Sequence, residues 1–297
     1  MKLAADATRS LGARRWELAL DDSGYPDSLA LIADPPKRLY GMGNPELLRP
    51  GLAVIGARKS TPYGRAAARL FAGWAAQRGE VIVSGAAIGC DQAAHRAALE
   101  AEGSTVAVLG CGADVDYPKG AHSLIEAIRQ RGCVLSELPW GTHPARWAFA
   151  KRNRIIAGLS HAVLVVEASV PSGTFLTADF ALSEGREVFA VPGSIFAPEC
   201  RGANRLIIQG ASPVTEISDL AALLGVDASE ETGSIVTETR DEILAAITAN
   251  PMRPDDISHD LGIDIVTVAI RLSELEHSGL AHRYPDARYG AIPRVTG

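Results

Sequence analysis

The densest interaction chemistry in the chain lies in Arg146-Trp147-Ala148-Phe149-Ala150-Lys151-Arg152-Asn153-Arg154, where four cations and two aromatic rings fall within nine residues. Cations track a phosphate backbone. Aromatic faces stack on unpaired bases, contributing about 1–3 kcal/mol per base whatever the sequence. Asn153 adds a donor and an acceptor. Helical spacing cannot bring all four cations to one face, so some must be structural or solvated. Trp147 is expected in the core. For Phe149, core packing and base stacking stay equally open.

Other segments join glycines or hydroxyls to a helix start. Gly56-Ala57-Arg58-Lys59-Ser60-Thr61-Pro62-Tyr63-Gly64 follows an apolar run, with Thr61 as cap and Pro62 in the first helical position. Unpaired N–H groups there, beside Arg58 and Lys59, suit a phosphate. Ser84-Gly85-Ala86-Ala87-Ile88-Gly89-Cys90-Asp91 turns in the same way. Gly56, Ser84, Gly85 and Gly89 are therefore candidate phosphate-cradling positions. Asp91 reads as a helix cap, and His95 one turn later as a packed or locally bonded side chain. Ser172, Gly173 and Thr174 offer hydroxyls and backbone N–H groups between a strand and a helix. Gly202 to Ala211 reads as a turn and helix closing the domain.

These loops need a scaffold, and the chain supplies one between Gly51 and about Leu224. Short apolar runs at 52–55, 81–83, 106–109, 134–135, 163–166 and 188–191 alternate with helical stretches. Continuous apolar strands separated by helices predict an α/β fold, a doubly wound and mostly parallel, extended Rossmann-like sheet. Several of these runs end in glycine, on the edge where such sheets bind ligands. Residues 1–50 read as a lead-in, with a short helix from Arg14 to Leu20, an edge strand at Arg38–Gly41 and no chemistry. Residues 225–240 are acidic, polar and aperiodic, and read as a linker. Residues 241–297 predict three helices and a hairpin, a small winged-helix domain, with Asp264 capping the third helix.

Composition bounds the function. The chain has 297 residues, 47% hydrophobic and 22% charged, with net charge −6. That balance argues against non-specific coating of duplex DNA but leaves room for a local basic groove. No leader-like or membrane-spanning run is evident, so a cytoplasmic location is expected. Cys90, Cys111, Cys133 and Cys200 form no C-x-x-C pair and read as small packed residues in a reducing compartment. There is no G-x-x-x-x-G-K-[ST] loop, so no nucleotide hydrolysis, no cofactor and no metal are expected.

The ordered set GARKSTPYG, SGAAIGCDQAAHRAAL, VLGCGADVDYP, LSELPWG, FAKRNRIIAGLS, VLVVEA, PSGTFLTADFA, VFAVPG and GANRLIIQGA, covering about residues 35–220, resembles the DNA-processing protein A family (DprA, also called Smf). The resemblance implies a cytoplasmic, non-enzymatic homodimer. It would bind and protect incoming single-stranded DNA and load the RecA recombinase onto it in natural transformation. It also implies DNA contacts at Arg58, Arg146, Phe149, Asn153 and Arg154, with the Ser172-Gly173-Thr174 turn beside them. The family usually writes Gly-Ser-Arg or Gly-Thr-Arg for Gly56-Ala57-Arg58, Gly-Ile-Asp for Gly89-Cys90-Asp91, and often a basic residue for Ile88. Many relatives carry a small helical domain ahead of the core, for which this chain is too short.

Two other readings compete. A nucleotide phosphoribohydrolase of the lysine-decarboxylase-like family needs a Pro-Gly-Gly-x-Gly-Thr-x-x-Glu loop. Here the position three beyond Thr174 is Thr177, and Asp179 is out of register. A duplex-reading winged helix needs cations or amides on its third helix, which offers Asp264, Glu274 and Glu276 against Arg271. This domain is expected to serve protein contacts or self-control.

Overall fold

The structure is a computed structural model and describes residues 14–226 and 242–292. The 225–240 linker reading falls, from residue 227 on, outside them. Eleven strands are described: β1 Arg15–Ala19, β2 Arg38–Gly43, β3 Gly51–Gly56, β4 Ile82–Ser84, β5 Thr105–Val108, β6 Cys133–Ser136, β7 Ser160–Glu167, β8 Glu187–Ala190, β9 Ser212–Pro213, β10 Ala281–Arg283 and β11 Tyr289–Ala291. The helices are α1 Asp27–Ala30, α2 Pro62–Gln77, α3 Cys90–Glu100, α4 His122–Arg131, α5 Arg146–Gly158, α6 Thr174–Ser183, α7 Arg201–Ile208, α8 Ile217–Leu224, α9 Glu242–Ala249, α10 Pro254–Leu261 and α11 Ile265–His277.

Nine strands form one sheet in the order β1-β2-β6-β5-β4-β3-β7-β8-β9. All pairings from β6 through β9 are parallel, while β1 and β2 run antiparallel at one end. The core strands are apolar on both faces because both are covered. In β3, Leu52 and Val54 pack with Phe71, Ala94 and the rest of the α2–α3 layer, and Ala53 and Ile55 pack with Ile155 and Ile156 of α5. All four cysteines are buried and unpaired.

The N-terminal segment departs from the sequence reading. Residues 15–19 form a strand rather than a helix, and β1–β2 extend the sheet expected to start at residue 51. The governing period is two. Trp16 lies across Gly41, where any side chain would collide with the indole, and its Nε1 donates to the Gly43 carbonyl at 3.0 Å. The C-terminal segment forms the expected winged helix, with its own core of Ile243, Ile247, Ile257, Val268, Leu272 and Leu275. Asp264 caps α11, accepting from the Val266 and Thr267 N–H groups at 3.0 and 3.1 Å.

After β3 the chain adds β4, β5 and β6 on one side. It then crosses back through α5 to place β7 on the other. β3 and β7 stay paired to Gly56 and Glu167, but the helices that follow them pack on opposite faces, leaving a crevice between the two connections at the point where ligands enter such sheets.

Candidate nucleic-acid interface

The crevice is a cleft of about 620 Å³ whose wall includes Gly56, Arg58 and Lys59 after β3, Arg146, Phe149 and Asn153 on α5, and Ser172, Gly173 and Thr174 after β7. One topological feature thus gathers residues that lie more than a hundred positions apart. On α5 the exposed and half-buried residues at the cleft are 146, 149, 150 and 153, the spacing of one helical face, and the buried Arg152 and Ile156 border it as well.

Arg58, Lys59 and Arg146 are exposed and make no ion pair among the described residues. The Arg58 guanidinium lies 5.1 Å from the Phe149 ring centre, a cation–π contact. Phe149 is half-buried and stacks on Tyr117 with centroids 5.2 Å apart and planes at 29°. Gly110 lies under the Phe149 ring, where a Cβ would come within 2.6 Å of it. Phe149 is therefore seated by neighbours rather than sunk in the core. Tyr117 was missed in the sequence, although it stands in the VLGCGADVDYP stretch just before Pro118.

Two cations of the basic run, Arg152 and Arg154, are engaged inside the protein instead. Arg154 is buried, with Nε donating to Asp34 at 2.8 Å and Nη2 to Glu137 at 2.7 Å, and it is absent from the cleft wall. Its partner Asp34 comes from the segment that looked devoid of chemistry. Arg152 reaches the cleft wall, but its buried guanidinium donates to the carbonyls of Gly85, at 2.8 Å, and Val108. The reason is helical: 148, 152, 155 and 156 form the inward stripe of α5. Trp147 lies beside that stripe and is 59% exposed, against the expectation of a core position. Lys151 pairs with Glu137 at 3.2 Å.

The proposed phosphate cradles are likewise filled by the chain's own carboxylates. Asp91 accepts from the N–H groups of Gly85 and Ala87 at 3.2 and 3.3 Å, with Gly56 a further donor. Burial presses its carboxyl upward, and the Arg152 charge and these bonds oppose that. Ser84 is buried, its hydroxyl donating to the Val54 carbonyl at 2.7 Å. Gly89 turns the chain into α3 with φ +101°, pressed on the Ala57 and Arg58 carbonyls. The Gly56 and Gly85 N–H groups thus point to Asp91 and the Ser84 hydroxyl to Val54, while Gly89 shapes the turn. Cys90 fits because Gly56 leaves it room. His95 is buried against the Thr105 hydroxyl at 2.7 Å, as packing would have it.

At the α2 start, Thr61 accepts from the Gly64 N–H at 3.1 Å, and the Thr61 N–H donates to Glu167 at 2.9 Å. Gly64 lacks the side chain that would strike this carboxylate. Glu167 thereby ties the Arg58–Lys59 loop to β7. Burial raises its carboxyl to about 7, against the lowering effect of the Thr61 bonds. A carboxyl that holds its proton more tightly when folded loses stability as pH rises from about 4.5 to about 7. We expect Glu167→Gln to flatten that slope and to stabilise the protein at pH 8 by about 1–2 kcal/mol, read by urea unfolding at pH 5 and pH 8. An unchanged slope would mean that the carboxyl is ionised across the range.

The third loop is built locally. The Thr174 N–H and the Ser172 Oγ bond at 3.1 Å, and the Asn153 amide donates to the Gly173 carbonyl at 3.4 Å. Gly173 itself faces open space. Glu199 and the largely buried Thr177 also line the cleft. On the winged helix, α11 exposes Val266 and Ile270 at 60% and 56%, and Arg271 pairs with Glu274 at 2.6 Å. No helix among the described residues is long and apolar enough to cross a membrane.

The family model described as DNA recombination-mediator protein A matches residues 17–225, more than half the chain, and the DprA winged helix domain matches 227–287. The chain belongs to the DNA recombination-mediator protein A family. It is 35% identical over 314 residues to protein Smf of Synechocystis, covering 92% of this chain and 79% of that one. Among solved structures it is similar to DNA processing protein A from Streptococcus pneumoniae, with TM-score 0.67, 40% identity, and 75% of this chain and 78% of that one covered. The same protein from Helicobacter pylori gives TM-score 0.65 and 32% identity, covering 71% of this chain and 96% of that one. Membership makes this a DNA-processing protein, and the family's extended sheet and winged helix are the architecture seen here.

Proposed function

We propose that the cleft binds single-stranded DNA and that the protein is a binder rather than an enzyme. The observation that carries this reading is the meeting of Arg58, Lys59 and Arg146, all without carboxylate partners among the described residues, with a seated aromatic ring at the switch point. Cations neutralise successive phosphates, and the Phe149–Tyr117 pair with the Ser172–Thr174 turn, exposed at Gly173, gives bases an apolar and hydrogen-bonding surface. Nothing in the cleft forms a base-reading array, so recognition is tolerant of sequence. The single-stranded DNA binding mode described for the Helicobacter pylori relative supports the reading.

Family membership further supports a homodimer that protects the strand and passes it to RecA in the cytoplasm, the role in natural transformation. The phosphoribohydrolase alternative needs a glutamate where buried Thr177 stands. The test is fluorescence anisotropy with labelled poly-dT and a matching duplex over a range of salt. We expect tighter binding of the single strand. Three phosphate contacts give a log–log salt slope of about −2, at about −0.7 per phosphate, doubled in a dimer that uses both clefts. A salt-independent affinity would sink the model. The RecA step is read by whether RecA assembles faster on single strands already carrying this protein.

A further inference from the structure

A second hollow, of about 430 Å³, adjoins the cleft and shares Arg58 and Lys59 with it. Its wall adds Arg65 and Arg69 from α2, Arg96 from α3 and the exposed Ile88. Five cations and no carboxylate line it, in a chain whose net charge is −6. Arg69 is neutralised by Glu100. Arg96 is exposed and makes no ion pair among the described residues. Arg65 is held by the Ser60 carbonyl at 2.6 Å, so its guanidinium is oriented, and no ion pair neutralises it. Glu167 pulls on Arg65 electrostatically from inside the protein without pairing with it.

We propose that this basin is a second station for the same strand. DNA leaves the cleft over the Arg58–Lys59 ridge, Arg65 and Arg96 take the next phosphates, and Ile88 gives a neighbouring base an apolar seat. The inference rests on the reading of the cleft as a single-strand site. Its own support is the one-signed lining and its continuity through two shared residues, which focus a polyanion along one path. Ile88 also lines the smaller hollow beside Phe149 and Tyr117, so the apolar surface continues between the two stations. Ile88 is 55% exposed and belongs to none of the apolar core clusters.

The test compares the full chain with Arg65→Ala/Arg96→Ala on dT5, short enough for the cleft alone, and on dT20. We expect wild type to bind dT20 more tightly than dT5. The double variant should lose about tenfold on dT20 and at most about twofold on dT5, with its dT20 salt slope shallower by about 1.4, two phosphates at about 0.7 each. Arg65→Lys/Arg96→Lys should keep most of the dT20 affinity. Ile88→Ser should weaken dT20 by about threefold to tenfold at an unchanged salt slope, because it removes apolar contact and no charge. Unchanged dT20 binding and slope in the double variant overturn the basin. So does an equal loss on both lengths, which would place the effect in the cleft. If wild type binds neither oligonucleotide, the cleft reading itself fails, and that outcome is distinct from the other two.

Discussion

Arg152→Ala should cost about 3–5 kcal/mol of stability, enough to leave much of the protein unfolded near neutral pH. The guanidinium is buried, donates to the Gly85 and Val108 carbonyls, and is the positive charge nearest the buried Asp91 carboxylate. Removing it strands a carboxylate and two strand-end carbonyls away from water, the situation in which breaking a buried pair is most costly. Gly85 has no side chain because the guanidinium fills that space, so the variant also opens a cavity. Lysine should rescue little, since one ammonium cannot reproduce the planar fork between two carbonyls. The check is the urea midpoint of the variant by circular dichroism. A native midpoint with weakened DNA binding would instead make Arg152 a DNA contact, as its place in a basic run had implied.

That contrast shows what a sequence can and cannot reveal here. The alternation of apolar runs and helices identified the parallel sheet, because strands buried on both faces have no polar positions to obscure them. The cleft was legible through its loops, which are local. What fills the loops was not legible. Asp91 was read as a helix cap and instead spans the turn to Gly85 and Ala87, and Glu167 reaches Thr61 across 106 positions. Both are folded-state contacts with no periodic trace. On α5 a sharper reading was available. The stripe 148, 152, 155 and 156 already marked Arg152 as inward, and the stripe 146, 149, 150 and 153 marked the outward face. Arg154 needed Asp34, in a segment with no evident role, before its burial made sense. β1 was legible in principle, since Arg15, Trp16, Glu17 and Leu18 alternate polar and apolar as a half-buried strand does.

Arg58→Ala should lower single-strand affinity by about tenfold to a hundredfold while leaving the unfolding midpoint within error of wild type. The two readouts separate because Arg58 is exposed and its guanidinium lies against the Phe149 ring, with no ion pair among the described residues. No buried charge loses a partner when it is removed, so the fold loses little. For DNA the change is larger than one surface charge. Arg58 lines the cleft, the hollow beside Tyr117 and the second basin, so a strand laid along the proposed path would pass it. Its loss removes a phosphate contact worth about 0.7 in salt slope, and it strips Phe149 of the cation over its ring. Lysine at the same position should restore the salt slope but only part of the affinity, because an ammonium keeps the charge and loses the planar stacking surface. Loss of slope with full affinity would assign Arg58 to long-range attraction alone. Loss of affinity at constant slope would assign it to base contact, with Lys59 and Arg146 carrying the phosphates.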